Sequence, residues 1–409
     1  MSRGGSPRIL ILGGDLAGNR GDRAIRAVMM DQVRRAAPSA QVFSVSREPD
    51  RDREEFGVEI AAPSAVSLLG RPAFLRSVDL TLFGGGQLLQ DDSSQLKNMH
   101  WAVVLRGVRA LSPGPLMGFG LGVGPLCTPM GRFFAARALR SLDFCITRDQ
   151  RSAEWATRLG GRGLATDTLP DPAVALRAEA AEAARRFLND EEQVVCSPDE
   201  TILGVAVRRF FPGRMGILPS AWTASRRLHD AGYEAFKQNL AEGVNRFAQG
   251  KKVRVLFFPL YNAPWQNDSA QARDVARRLA MPAHVLRLSC GCSMIKALMG
   301  LCDLFVGVPM HSTILALGAQ VPTLALAYTD KILDWYGELG LPEWAMPARL
   351  LSEPGRAGLL AEKLARLHEN REQIRASLSA AWMALEARVD RYVEWIGRAL
   401  SPRWSRPAP

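Results

Sequence analysis

The chain has 409 residues, 47% hydrophobic and 23% charged, a net charge of +11 and a pI near 9.8, and its length exceeds what one hydrophobic core supports, so two domains are expected. The positive balance admits nucleic acid, an anionic membrane surface or negatively charged small molecules. Scattered arginines, with no dense basic block and few aromatics among basic residues, set nucleic acid aside.

The first residues run straight into the strand Arg8–Leu12 without a secretory h-region. The most apolar stretch, residues 310–328, is interrupted by His311, Gln320 and Pro322, so it predicts a helix followed by a strand rather than a membrane span. Cys127, Cys145, Cys196, Cys290, Cys292 and Cys302 lie in mostly apolar surroundings, the pattern of buried thiols in a reducing cytoplasm. Cys290-Gly-Cys292 has no second ligand pair, and no metal site is expected.

Strands are predicted at residues 8–12, 40–44, 79–83, 115–120 and 143–147, alternating with helical patterns such as Asp22 to Arg35, where Ile25, Val28, Met29 and Val33 share a face. Such alternation predicts a parallel sheet covered by helices on both sides over residues 1–176. Residues 177–200, alanine-rich and charged, are expected to form a boundary helix and linker. A second alternating set, with strands at 201–207, 253–259, 284–288, 303–306 and 322–327, predicts a second doubly wound domain over residues 201–350. Residues 351–409 are expected to be a helical tail packed on the body, with Leu360, Leu364, Leu367, Ile374, Leu378, Trp382, Leu385 and Val389 as its apolar stripe.

The chemistry-bearing segments sit at predicted strand ends, where open α/β sheets bind ligands. The turn Gly13 to Asp22 contains Asn19 and Gly21; its glycines let backbone amides approach an anion, and Asp22 is either a helix cap or a site residue. Its spacing is not that of a dinucleotide fingerprint, and Ser44-Val-Ser-Arg47 stands where the acidic ribose ligand belongs, so NAD is disfavoured. Gly84, Gly85, Gly86 and Gln87 are expected to form an exposed-backbone loop. Gly120, within the alternating glycines 118–124, would let backbone or sugar pass close by. Arg148, followed by Asp149, would project from a strand end as a planar fork for carboxylate or phosphate. Arg208 and Arg209 repeat the pattern in the second domain, one facing the cleft and one the solvent. In Pro309-Met-His311-Ser312, Ser312 is expected to cap a helix starting at Thr313 and to leave His311 at its positive end. A helix dipole disfavours an imidazolium and a bound dianion favours it, as a general acid requires. Lys331, in Tyr328-Thr-Asp-Lys331, would add a point charge for phosphate.

Taken together, these segments resemble the polysaccharide pyruvyl transferase family. The resemblance rests on Gly-Asn-x-Gly-Asp (Gly18 to Asp22), Gly-Gly-Gly-x-Leu-Leu-x-Asp (Gly84 to Asp91), Gly-x-Gly-x-Gly-Pro (Gly120 to Pro125), Thr-Arg-Asp-x-x-Ser (Thr147 to Ser152), Asp171-Pro172, the His311-Ser312 turn and Tyr328-x-x-Lys331. It implies two Rossmann-like domains facing a cleft in a glycosyltransferase-B-like arrangement. It further implies a ketal-forming transfer from phosphoenolpyruvate, without a cofactor, onto two hydroxyls of a saccharide. Carried over by position, His311 and Lys331 form the donor-site pair, Arg148 is a second anion ligand and Asp22 belongs to the acceptor side. The family's arginine two residues before the histidine is replaced by Pro309: either Arg148, Arg208 or Arg209 compensates, or the donor has changed, or catalysis is weakened.

The expected protein is therefore a cytoplasmic transferase that decorates a cell-surface saccharide or its lipid-linked precursor, with basic charge favouring the inner membrane leaflet. The alternatives are a nucleotide-sugar glycosyltransferase of the same architecture and a catalytically silent saccharide-binding homologue.

Overall fold

A computed structural model of the chain describes residues 5–13, 18–91, 96–161, 164–210, 231–263 and 266–401. Residues 14–17 of the first glycine turn and 92–95, after the triple glycine, lie outside this set. The chain divides into two compact units: among the described residues, the first holds 5–175 and 385–401 and the second 176–210 and 231–384.

The first unit is a seven-stranded, all-parallel sheet in the order β3-β2-β1-β4-β5-β6-β7. Its strands are β1 (Arg8–Leu12), β2 (Gln41–Val45), β3 (Glu59–Ala62), β4 (Leu80–Leu89), β5 (Leu116–Val123), β6 (Phe144–Thr147) and β7 (Ala165–Thr168). The connecting helices are α1 (Arg20–Ala36), α2 (Pro49–Phe56), the single turn α3 (Pro72–Leu75), α4 (Leu96–Leu111), α5 (Pro129–Leu139) and α6 (Gln150–Gly160). Central strands such as β5 are buried along their whole length, as a sheet covered on both faces requires.

Two charged side chains of α1 lie inside this packing. Arg23 pairs with Asp52 at 2.8 Å and with Glu55, while Arg26 reaches the other Asp52 oxygen at 3.1 Å and the Gly13 carbonyl at 2.9 Å. Burial opposes the Arg23 charge, yet the carboxylates override it and raise its pKa above the ordinary guanidinium value. The cluster clips α2 to α1 and fixes the end of β1.

The triple glycine is not a loop. Gly84, Gly85 and Gly86 lie inside β4, which stays paired with β5 as far as Leu89 and Val123. The reason is close approach: a Cβ at Gly84 would collide with the Phe119 carbonyl of the neighbouring strand, and Gly85 and Gly86 hold φ of +83° and +120°.

The second unit has a six-stranded parallel sheet in the order β12-β9-β8-β13-β14-β15, plus a two-stranded hairpin of β10 and β11. The strands are β8 (Thr201–Ala206), β9 (Val253–Phe257), β10 (Asn262–Ala263), β11 (Gln266–Asn267), β12 (Ala283–Val285), β13 (Leu304–Gly307), β14 (Thr323–Ala327) and β15 (Ala345–Pro347). Its helices are α7 (Ala181–Asp190), α8 (Ala231–Phe247), α9 (Asp268–Ala276), α10 (Cys292–Met299), α11 (Met310–Gly318), α12 (Asp330–Glu338), α13 (Ala357–Glu369) and α14 (Arg371–Val389), followed by α15 (Arg391–Leu400) of the first unit.

Two expectations about organisation are corrected here. Residues 177–200 do hold a helix near the boundary, α7, but they belong to the second unit and not to a free linker: α7 packs on α10, and the buried Glu192 carboxylate accepts from the Arg287 and Leu288 amides at 2.9–3.0 Å. The tail divides, because the chain passes back to the first unit within α14, and α15 packs there on α1. Tyr392 of α15 is fully buried, its ring 4.2 Å from that of Phe119, and its hydroxyl donates to the Pro170 carbonyl at 3.3 Å. Burial pushes that hydroxyl well above its usual pKa. Trp395 Nε1 and Arg391 both donate to Asp167 Oδ2 at 2.9 Å.

The thiols also depart from expectation. Cys145, Cys292 and Cys302 are buried, Cys196 and Cys290 are half-buried and Cys127 is exposed; none of the six is in a disulfide. Burial pushes the Cys145 thiol up to about 12.

Tyr392→Ala should lower the unfolding free energy by about 3–5 kcal/mol in denaturant titrations, the cost of truncating a large buried ring. Gly397→Ala, on the exposed side of α15 with nothing within 4 Å of a Cβ there, should leave stability unchanged or raise it by up to about 1 kcal/mol.

Candidate active site

In each sheet the strand order reverses once, between β1 and β4 in the first unit and between β8 and β13 in the second. At such a reversal the connections leave in opposite directions and open a crevice at the carboxyl edge. The residues singled out in the sequence gather beside these two places.

In the first unit, Asn19 caps α1, its side-chain oxygen accepting from the Gly21 amide at 3.1 Å while its Nδ2 donates to Asp22 Oδ2 at 3.0 Å. Asp22 is thus not the cap but a carboxylate held in the first turn, beside β4, where a Cβ on Gly86 would lie 2.6 Å from its Oδ1. Gln87 follows on β4, and Lys97 Nζ donates to its carbonyl at 2.6 Å.

Arg148, after β6, extends across β5 toward Gln87. Its Nη1 donates to Asp171 Oδ2 at 2.7 Å and its Nη2 to Gln87 Oε1 at 3.0 Å. The glycines of β5 make that crossing possible: a Cβ at Gly122 would strike Gln87 Oε1, and one at Gly120 would lie 2.7 Å from Pro172. The sequence expectation of an open fork for a donor anion is corrected, because Arg148 is only 8% exposed and already paired. Burial opposes its charge, but Asp171, then Asp149 and Asp22, raise its pKa above the ordinary value. Three carboxylates thus surround this one guanidinium. Asp149 has a structural duty as well: it caps α6, Oδ1 accepting from the Ser152 amide at 2.8 Å. Asp171 was seen in the sequence only as part of an Asp-Pro motif. Its role as partner of Arg148 crosses 23 residues and carries no local signal.

In the second unit, β13 pairs in parallel with β8 on one side and β14 on the other, with Gly307 opposite both Ala206 and Ala325. The segments after these three strands therefore leave the sheet side by side. After β8 come Arg208 and Arg209; Arg208 is held by Asp268 at 3.1 Å and lies over the Tyr261 ring. After β13 comes α11, and after β14 comes α12.

The cap of α11 differs from expectation. The helix starts at Met310 with Pro309 as N-cap, so His311 lies within the first turn, half-buried. Ser312 is buried and its Oγ donates to the Pro309 carbonyl at 2.6 Å instead of accepting from an amide. Proline at this position has a physical use, since its fixed φ, here −67°, suits entry into a helix and no amide is wasted.

Lys331 occupies the equivalent position on α12, whose N-cap is Thr329, and is half-buried. His311 and Lys331 thus sit in the first turns of helices fed by adjacent parallel strands. Tyr328 is exposed and stacks on Phe210, with ring centroids 6.1 Å apart and an interplanar angle of 19°. Because Phe210 follows β8 and Tyr328 follows β14, the ring pair links the segments flanking the β13 end. Phe210 was missed in the sequence, where an aromatic after two arginines carries no pattern. Among the described residues no group of three or more His, Cys, Asp or Glu side chains is arranged to hold a metal ion.

Residues 19–330 match the sequence profile of polysaccharide pyruvyl transferases. The chain belongs to this family. The match starts at the α1 cap Asn19 and ends at Asp330, so it encloses His311 and stops one residue before Lys331. The amylovoran biosynthesis protein AmsJ of Erwinia amylovora is 20% identical over 416 residues, which span 91% of this chain and 95% of that protein. Among solved structures, HepE from Anabaena, in complex with UDP and glucose, is similar with a TM-score of 0.57 at 15% identity, over 96% of this chain and 99% of that one. The UDP-GlcNAc 2-epimerase of Neisseria meningitidis, bound to UDP-GlcNAc, gives 0.60 at 10% identity over 96% and 99%. Likeness at these identities establishes the fold: α/β, with two Rossmann-like domains of the glycosyltransferase-B-like kind.

Arg148→Met should cost about 3–5 kcal/mol in denaturant unfolding, since it leaves buried carboxylates without their counter-charge. The double variant Arg148→Met/Asp171→Leu should recover most of that loss, giving a coupling energy well above 1 kcal/mol in a double-mutant cycle.

Proposed function

We propose that the protein transfers the enolpyruvyl group of phosphoenolpyruvate onto two hydroxyls of a saccharide, forming a pyruvate ketal during exopolysaccharide biosynthesis. Membership of the family supports the transferase class. The role in exopolysaccharide assembly is supported by the likeness to AmsJ. One geometric observation carries the donor assignment: adjacent parallel strands β13 and β14 feed two helices whose first turns hold His311 and Lys331. Two helix N-termini, an imidazole and an ammonium suit a substrate bearing both phosphate and carboxylate.

In this proposal Lys331 and the α11 and α12 amide ends bind the donor's phosphate and carboxylate. Arg209, beside the same edge, adds positive charge. His311 gives a proton to the methylene carbon, converting it to methyl and leaving an oxocarbenium-like centre at C2. One acceptor hydroxyl adds there and loses its proton, which restores the balance taken from His311. Cleavage of the C2–O bond releases phosphate, the second hydroxyl adds to C2, and its proton leaves with the phosphate. Atoms and charge balance without an oxidant, a reductant or a cofactor.

For the acceptor, the carboxylate-bearing edge of the first unit is the better match. Asp22, Gln87 and Asp149 offer oxygen acceptors to sugar hydroxyls, and Asp22 is assigned to deprotonate or orient the attacking one. Arg148 acts here through others: it holds Asp171 and Gln87 in place.

With purified protein, phosphoenolpyruvate and a panel of lipid-linked and soluble saccharides, phosphate release should depend on the acceptor. His311→Ala should lower kcat by about 10²–10⁴-fold. Lys331→Ala should raise the KM for phosphoenolpyruvate and lower kcat by about 10²-fold. Asp22→Asn should reduce acceptor-dependent turnover and leave donor binding in place. Undiminished phosphate release in both the His311 and Lys331 variants would defeat the assignment, as would transfer of labelled sugar from a nucleotide sugar in place of labelled pyruvate.

A further inference from the structure

Between Asp92 and Asp143 the sequence holds no aspartate or glutamate, whereas Lys97, Arg106, Arg109, Arg132, Arg137 and Arg140 all lie in that interval. This interval is α4, β5 and α5 with their connections, and the two helices pack against each other in the first unit. Their amino ends are adjacent, for Asn98 Nδ2 donates to the Gly131 carbonyl at 3.2 Å.

The outward faces of both helices share one pattern. On α4, Met99, Val103 and Arg106 follow at helical spacing; on α5, Met130, Phe133, Arg137 and Arg140 do the same. Met99 and Met130 are 38% exposed, and Val103 and Phe133 are 53% exposed. They make up four of the eight large hydrophobic side chains that are exposed among the described residues. Pro125, Cys127 and Pro129 beside them are exposed as well. Arg132 is exposed near the start of α5, Arg106, Arg137 and Arg140 are exposed further along the two helices, and the Arg137 guanidinium lies 4.8 Å over the Phe133 ring.

We infer that this α4–α5 face is a docking surface for an anionic lipid bilayer. Charge complementarity fixes the occupant: exposed apolar side chains and exposed arginines on two neighbouring helices, neither of which carries an acidic residue, match an acyl boundary under phosphate headgroups. The inference stands on this surface alone and does not require pyruvyl transfer.

The test is co-sedimentation of the full-length protein with vesicles of phosphatidylcholine, with and without phosphatidylglycerol. Binding should require phosphatidylglycerol and weaken as salt is raised. Val103→Ser/Phe133→Ser and Arg106→Gln/Arg137→Gln should each lower the partition coefficient by about tenfold or more. Both variants should keep the wild-type melting temperature and elution volume, because every altered side chain is exposed, and should keep their turnover on a soluble saccharide. Equal binding to neutral vesicles, or wild-type binding by both variants, would overturn the inference. A concentration-dependent dimer that both variants abolish would also overturn it, in favour of a second copy of the chain on this face. Loss of turnover in the His311 variant with vesicle binding intact would bear on the chemistry only.

Discussion

Parallel strand pairing is the constraint on which the rest depends. It sends every strand's carboxyl end to one edge of its sheet, so residues far apart in sequence emerge together. The single reversal of strand order then leaves one gap per sheet, at β1/β4 and at β8/β13. Asn19, Asp22 and Gln87 belong to the first gap and Arg208, Arg209 and His311 to the second, with Lys331 one strand further on.

The two edges differ in electrical character. In the first unit one buried guanidinium is surrounded by Asp22, Asp149 and Asp171, and desolvation makes these partners indispensable to one another. Such a network rigidifies its surroundings, and the glycines of β4 and β5 exist to leave it room. In the second unit the helix N-termini, His311, Lys331 and Arg209 lean the other way. Arg208 is the exception there, held by Asp268 and therefore spent on structure more than on a ligand. A carboxylate-rich edge favours hydroxyls, a cationic one favours an acidic small molecule.

Much of this was legible in the chain itself. The alternating pattern gave the long central strands and the two-unit organisation because buried strands and amphipathic helices have different periods. β3, β7 and β15 escaped notice; Glu59–Ala62, Ala165–Thr168 and Ala345–Pro347 are short, and β7 is half polar, as sheet edges tend to be. The triple glycine looked like a loop because glycine has low strand propensity. Its strand state depends on Phe119 of a neighbour more than thirty residues away, which no local window contains. Similarly, the position of Arg148 at a strand end was visible, but the Asp171 that neutralises it was not identifiable as its partner. A serine before an apolar helix signals a cap because serine usually accepts from an amide. With Pro309 as the cap, the Ser312 hydroxyl instead donates to the Pro309 carbonyl.

The return of α15 to the first unit bears on how the polypeptide matures during synthesis. The Phe119 ring and the Pro170 carbonyl find their covers, the ring and hydroxyl of Tyr392, only once α15 has left the ribosome. A nascent amino-terminal half therefore waits with an aromatic seam open to solvent, and completes its interior after the other half has been made. Cutting the gene between the halves would yield a fragment with that seam permanently bare.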